Sequence, residues 1–182
     1  MEKMPGYPVR WITTELAVGY APRSYDDLAA IRAQGIAAIV NLCSECYDLH
    51  DIEKNAGFDV YFLPIPDEEA PDLKDLEKAL TWVAERVKVG KKVLVHCRFG
   101  IGRTGTFVAA YLINTGCSLI LALRKMKPTP AVPVSRIQWD LLDHYTEKLD
   151  VSKEGVPDIE KVNERPPDSF FTKWAAMLDW FK

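Results

Sequence analysis

Val93-Leu94-Val95-His96-Cys97-Arg98-Phe99-Gly100-Ile101-Gly102-Arg103-Thr104-Gly105-Thr106 is the stretch that decides how this 182-residue chain is read. It opens as an apolar run suited to a buried strand and turns through a loop with two glycines. It then passes through Thr104 into Phe107-Val108-Ala109-Ala110-Tyr111-Leu112-Ile113, an apolar stretch suited to a helix. A strand, a tight glycine loop and a helix N-terminus together make an anion site, because loop N–H groups converge there and the helix dipole adds positive potential. The loop starts on a cysteine and carries an arginine six positions later. A thiol facing those N–H groups is expected to have a depressed pKa. A guanidinium at the far end matches two oxygens of a phosphate in a bidentate fork. Nucleophile and oxyanion clamp on one loop predict attack of Cys97 on a phosphate ester.

The elements on either side predict the sheet that holds this loop. Val9–Ile12 and Leu16–Gly19 read as two short strands. Ser24 caps a helix running to about Gln34, and Gly35 stops it. Ile36-Ala37-Ala38-Ile39-Val40-Asn41-Leu42 is the near-continuous apolar run of a strand buried on both faces. A short helix over 48–56 and a strand over 58–63 follow, with Pro64 and Pro66 ending the strand. Asp72 is a plausible N-cap for a helix over 73–89, in which Leu73, Leu76, Leu80, Val83 and Val87 recur at helical spacing. Beyond the loop come helices over 104–115, 118–126 and 135–149, the last with Ile137, Leu141, Leu142 and Tyr145 on one face. Pro128, Pro130 and Pro133 stiffen the segment before it. Strands alternating with helices predict an α/β fold with a mostly parallel central sheet, the reactive loop at a strand's carboxyl end.

Bulk properties fit one soluble domain: 48% hydrophobic, 27% charged and a net charge of −3. That balance gives no reason to expect nucleic-acid binding, and no apolar run approaches the roughly 20 residues needed to span a bilayer. Four cysteines and no apolar leader after Met1 predict a cytoplasmic, reduced protein. Residues 1–150 read as the main domain. Residues 151–182 read as a Pro- and charge-rich linker followed by an amphipathic helix with Phe170, Phe171, Trp174 and Phe181, docked on the domain, offered to a partner or laid on a membrane surface.

His96-Cys97-x5-Arg103-Thr104 resembles the signature of the cysteine-dependent protein tyrosine phosphatase superfamily. Length and upstream residues resemble its dual-specificity branch, over about residues 8–149. Rhodanese-type sulfurtransferases also set Cys and Arg on a loop, but with x4 spacing. The resemblance implies a phosphotyrosine phosphatase-like fold, no cofactor or metal, and hydrolysis of phosphotyrosine, phosphoserine and phosphothreonine in proteins or peptides through a phosphocysteine. Alternatives on the same scaffold are a phospholipid, phosphoglycan or nucleotide phosphatase, or a phosphate-binding pseudophosphatase.

The resemblance also carries roles to individual residues. A carboxylic acid must protonate the leaving oxygen and later act as base. The family places it on a loop like Pro64–Asp72, and Asp67 stands 30 residues before Cys97. Asp72 has a competing job as helix cap, and Glu68 and Glu69 read as solvated. Thr104 would stabilise the thiolate, His96 would set the loop around it, and Gln138 would orient the attacking water or else be a solvated helix residue. Arg98, Phe99, Gly100, Ile101 and Gly102 with Arg103 would line the phosphate cradle. Lipid-phosphatase relatives carry lysines where Arg98 and Ile101 stand. Only the first matches in charge, and the acidic loop disfavours a polyanionic headgroup. Asn41-Leu42-Cys43 resembles a segment whose cysteine can form a disulfide with the catalytic one. Cys43, with Cys46 as the alternative, would then pair with oxidised Cys97. A lone Cys-x-x-Cys lacks further ligands for zinc.

Overall fold

In a computed structural model, residues 6–149 are described; the predicted C-terminal linker and helix lie outside them. The elements run β1 (Arg10–Trp11), β2 (Leu16–Tyr20), α1 (Tyr25–Ala33), β3 (Ile36–Cys43), α2 (Leu49–Asn55), β4 (Asp59–Ile65), α3 (Leu73–Lys88), β5 (Lys92–Cys97), α4 (Gly102–Asn114), α5 (Leu119–Met126) and α6 (Arg136–Leu149). The five strands form one sheet in the order β1-β2-β5-β3-β4. Only the β1–β2 pairing is antiparallel. The expected mostly parallel α/β sheet is therefore observed.

Alternation along the strands feeds two apolar layers. Val93, Val95 and Cys97 of β5 enter the larger layer with Leu76 and Leu80 of α3, Phe107 and Leu112 of α4, and Leu142 of α6. Leu94 turns to the other face with Leu28 and Ile31 of α1 and Phe58. Helix α4 is the buried centre, its residues from Arg103 to Ile113 all enclosed. Gly105 lets it pack so tightly: a Cβ there would lie 2.4 Å from the backbone of Val132. The cap readings hold, with Ser24 accepting from the Asp27 N–H, Asp72 from Lys74 and Ser118 from Leu121.

Two expectations need correction. Strand β4 does not end at Pro64 but runs to Ile65. It is an edge strand, where a residue without an N–H leaves no ladder bond unmade. In α6 the inward face is Gln138, Leu142 and Tyr145, whereas Ile137 is 49% exposed. Among the described residues, no helix is long and apolar enough to cross a membrane.

Candidate active site

Strand β5 lies between β2 and β3, with Tyr20 opposite Cys97 and both Gly19 and Asn41 opposite His96. The four parallel strands end on one edge, so the segments after β2, β3 and β4 surround the loop that begins at Cys97. Cys97 is buried. Gly100 turns the loop with φ 72°, and a Cβ there would lie 2.4 Å from the Gly19 carbonyl oxygen; glycine meets both demands. Helix α4 starts at Gly102, two residues earlier than expected, so Arg103 and Thr104 stand in its first turn. Ile101 gives that helix no side-chain cap. Its first N–H groups therefore stay available to an anion.

Arg103 is 2% exposed and almost fully engaged. Its Nη1 donates to Glu45 Oε2 (2.7 Å) and to the Ile65 carbonyl (2.8 Å). Its Nη2 donates to Glu45 Oε1 (2.7 Å) and is paired with Asp67 Oδ1 at 2.9 Å. Its Nε is buried without a partner, as is Thr104 Oγ1. Burial alone would pull the guanidinium down. The bidentate Glu45, with Cys97 and Asp67, instead holds it above its ordinary value. The Arg103 hydrogen bond brings the Glu45 carboxyl down to about 2, against the opposing effect of burial.

His96 is fully buried, its Nε2 bonded to Glu53 Oε1 at 2.7 Å and its Nδ1 3.3 Å from the Cys97 carbonyl. Glu53, on α2, is equally buried and accepts from Asn41 Nδ2 at 3.0 Å. Asn41 Oδ1 in turn accepts from the Cys43 N–H at 2.9 Å. A continuous polar line thus runs from the carboxyl end of β3 through α2 to the backbone of Cys97. Every member is buried and bonded, the condition under which such a line rigidifies what it touches.

Asp67 projects from a turn in which the Glu69 N–H donates to the Pro66 carbonyl at 3.1 Å. Glu68 sits at the third position with φ 63°, a conformation unfavourable for a non-glycine residue. Gln138 Nε2 donates to the Glu69 carbonyl (3.1 Å), and the Ser135 hydroxyl donates to the Glu68 carbonyl. Helix α6 therefore fastens the turn that carries Asp67. Gln138 lies beside Gly102, and its Oε1 accepts from the Val134 N–H at 2.8 Å. It is buried rather than solvated. Asp72, serving as a cap, is committed away from the site.

Arg98 and Phe99 are exposed at the rim, the guanidinium carbon 5.4 Å from the ring centroid. Cys43 is buried, and Cys46 is half-buried beside it. Burial, then the hydrogen bond with Cys46, pushes the Cys43 thiol well above its ordinary value. Cys43, Cys46 and Cys97 are free thiols. Among the described residues no cluster of metal-ligating side chains is found.

Sequence reasoning overlooked Glu45 and Glu53. Glu45 sits inside the Cys-x-x-Cys segment, and Glu53 on a helix of only seven residues. The available signal was their position just after β3, but it has meaning only once β3 is known to neighbour β5.

The family model described as Tc-R-P, Polymorphic toxin system, DSP-PTPase phosphatase matches residues 18–117, more than half of the chain. A crystal structure of Tk-PTP in the active form superimposes with a TM-score of 0.70 at 34% identity, covering 77% of this chain and 97% of that one. Human protein tyrosine phosphatase type IVA 3 is 28% identical over 120 residues, 65% of this chain and 69% of that protein. Mouse dual specificity protein phosphatase 2 is 29% identical over 90 residues, 49% of this chain and 27% of that protein. The chain spans less than half the length of several curated relatives it matches. With fold, family model and relatives in agreement, the chain belongs to the dual-specificity branch of the cysteine-dependent protein tyrosine phosphatase superfamily, in the DSP-PTPase phosphatase family.

Proposed function

We propose that this protein hydrolyses phosphomonoesters of tyrosine, and of serine and threonine, in proteins or peptides. The observation that carries the reading is the pair of buried unpartnered donors, Arg103 Nε and Thr104 Oγ1, on the helix turn that follows Cys97. Buried polar groups in proteins are generally satisfied, and donors held ready without reorganisation are what charge development in a transition state uses.

In the first half-reaction the Cys97 sulfur attacks phosphorus, the ester P–O bond breaks, and Asp67 gives the departing oxygen its proton. The phosphate takes Arg103 Nε and the Nη2 hydrogen that Asp67 holds at rest. Substrate binding thereby frees the Asp67 carboxylate from its cation, and once it has taken up a proton from solvent it faces the leaving oxygen as the carboxylic acid. Glu45 and the Ile65 carbonyl keep their hold, so the guanidinium does not swing. In the second half-reaction Asp67 takes a proton from water, which attacks the phosphocysteine. Inorganic phosphate leaves, and the Thr104 hydroxyl steadies the expelled thiolate. In this reading Gln138 orients that water. Cys43 or Cys46 would capture Cys97 after peroxide converts it to the sulfenic acid, forming a disulfide and releasing water. Peptide mapping after peroxide treatment checks this; Cys97 driven to sulfinic acid with no Cys43 or Cys46 link would refute it.

The test of the main reading is a panel at equal concentration: phosphotyrosyl and phosphoseryl peptides, phosphoinositides and an aryl phosphate. Hydrolysis of the peptides is expected, and Cys97→Ser abolishes it while retaining phosphopeptide binding. Binding without turnover of any aryl phosphate by the wild type would identify a phosphate-binding module instead. Preference for phosphoinositides would move the substrate to lipids.

A further inference from the structure

A cavity of about 490 Å³ opens beside the Cys97 loop, lined among others by Arg23, Glu45, Cys46, Arg98 and Phe99. Its size suits a small ligand or one to two side chains. Its walls are the segments after β2 and β3 together with the two residues that follow the nucleophile. The wall is fixed, because the Ala21 N–H donates to the Arg98 carbonyl at 3.3 Å. Arg23 is fixed at its backbone as well, its N–H bonded to Asp27 Oδ2 at 2.8 Å.

The charges are unbalanced. Glu45 is the one carboxylate among the lining residues, and both its oxygens are committed to Arg103. Among the described residues, neither the Arg23 nor the Arg98 guanidinium has an ion pair. They lie over the rings of Tyr20 and Phe99, at 5.1 Å and 5.4 Å. Two cations over aromatic faces, whose guanidinium N–H groups have no hydrogen-bond partner among the described residues, form a receptor for a carboxylate or phosphate. Phe99, 56% exposed, offers an apolar surface for the stem of such a group.

We propose that this cavity is a second anion subsite, in which Arg23 and Arg98 hold an acidic side chain next to the phosphorylated residue of a peptide substrate. The inference rests on the phosphomonoesterase reading and deepens it. Arg98 adjoins Cys97 in the chain, so an extended peptide, rising about 3.3 Å per residue, reaches the cavity within one or two residues of its scissile phosphate. The occupant is part of the substrate, and selection acts on substrates bearing two negative groups.

The experiment compares phosphotyrosyl peptides of one length flanked by Glu, Gln or Lys, reading the ratio of kcat/KM within each protein. Wild type is expected to favour Glu over Gln by about tenfold, the size of one solvent-exposed charge-assisted contact, with the ratio falling at high salt. Arg23→Ala and Arg98→Gln each reduce the ratio toward one, and Arg23→Glu turns the preference toward Lys. Binding of the same peptides to the Cys97→Ser protein is measured in parallel. Turnover without any flanking preference overturns the subsite and leaves the phosphatase reading standing. Acid-selective binding without wild-type turnover does the reverse. Neither turnover nor selective binding overturns both. Faster turnover of an inositol bisphosphate than of every peptide overturns the assignment to a peptide side chain.

Discussion

Replacing Glu45 by Gln removes one charge from the pair that fixes Arg103, and its cost follows from the structure in two ways. A carboxyl brought from its ordinary 4.5 to about 2 corresponds to roughly 3 kcal/mol at about 1.4 kcal/mol per tenfold. The side chain is 27% exposed, and solvent screening brings the figure to about 2 kcal/mol. From the other partner, stranding a buried cation costs about 3–5 kcal/mol, but Asp67 and the Ile65 carbonyl remain on Arg103, which again leaves about 2 kcal/mol. The carboxyl is depressed in the folded state, so its contribution is full above about pH 4.5 and is lost as pH falls toward 2. Urea unfolding at neutral pH should show Glu45→Gln less stable by about 2 kcal/mol, a midpoint shift of about 1 M. The gap between variant and wild type should close as the pH falls below about 4. On the proposed mechanism catalysis should fall as well, through kcat, because the Arg103 fork is no longer fixed. A neutral-pH difference under about 0.5 kcal/mol, or one independent of pH, would refute the pinning role of Glu45.

Asp67→Asn is expected to slow a substrate with a poor leaving group by about 10²–10⁴ and an activated aryl phosphate much less; equal losses would place the acid elsewhere. Glu53→Gln, at a fully buried pair with His96, should cost about 3 kcal/mol in denaturant unfolding, and a change below about 1 kcal/mol would deny the pair a structural role. Glu68→Gly relieves the positive φ in the turn carrying Asp67 and should stabilise the protein by about 1 kcal/mol. Thermal unfolding checks this, and a loss of stability would mean that the turn tolerates glutamate without strain.

Local patterns in the chain made most of the fold readable. The near-continuous apolar run of β3 signalled a strand enclosed on both faces. Ser24, Asp72 and Ser118 marked helix starts through groups only two or three residues away. Cys97, Arg103 and Thr104 were legible because they share one loop and one helix turn. Glu45 and the buried Glu53 were not, because their partners lie 58 and 43 residues away and meet them only through the strand order. Pro64 misled for the same reason: whether a proline ends a strand depends on whether its N–H side faces a neighbour, a property of the sheet. Gln138 was readable as a helix residue but not as the tie between α6 and the turn that carries Asp67, which needs the tertiary contact with Glu69.

That proline has a further consequence, for crowding rather than for chemistry. A sheet in which four of five strands run parallel has two open borders, and each is a template on which another chain can polymerise. On one border stands β4, where Pro64 interrupts the row of donors. On the other stands β1, a strand of two residues. Neither border offers a long, unbroken ladder for strand addition. Among the described residues, the sheet beneath the Cys97 loop thus presents no long exposed ladder of the kind that edge-to-edge strand addition uses.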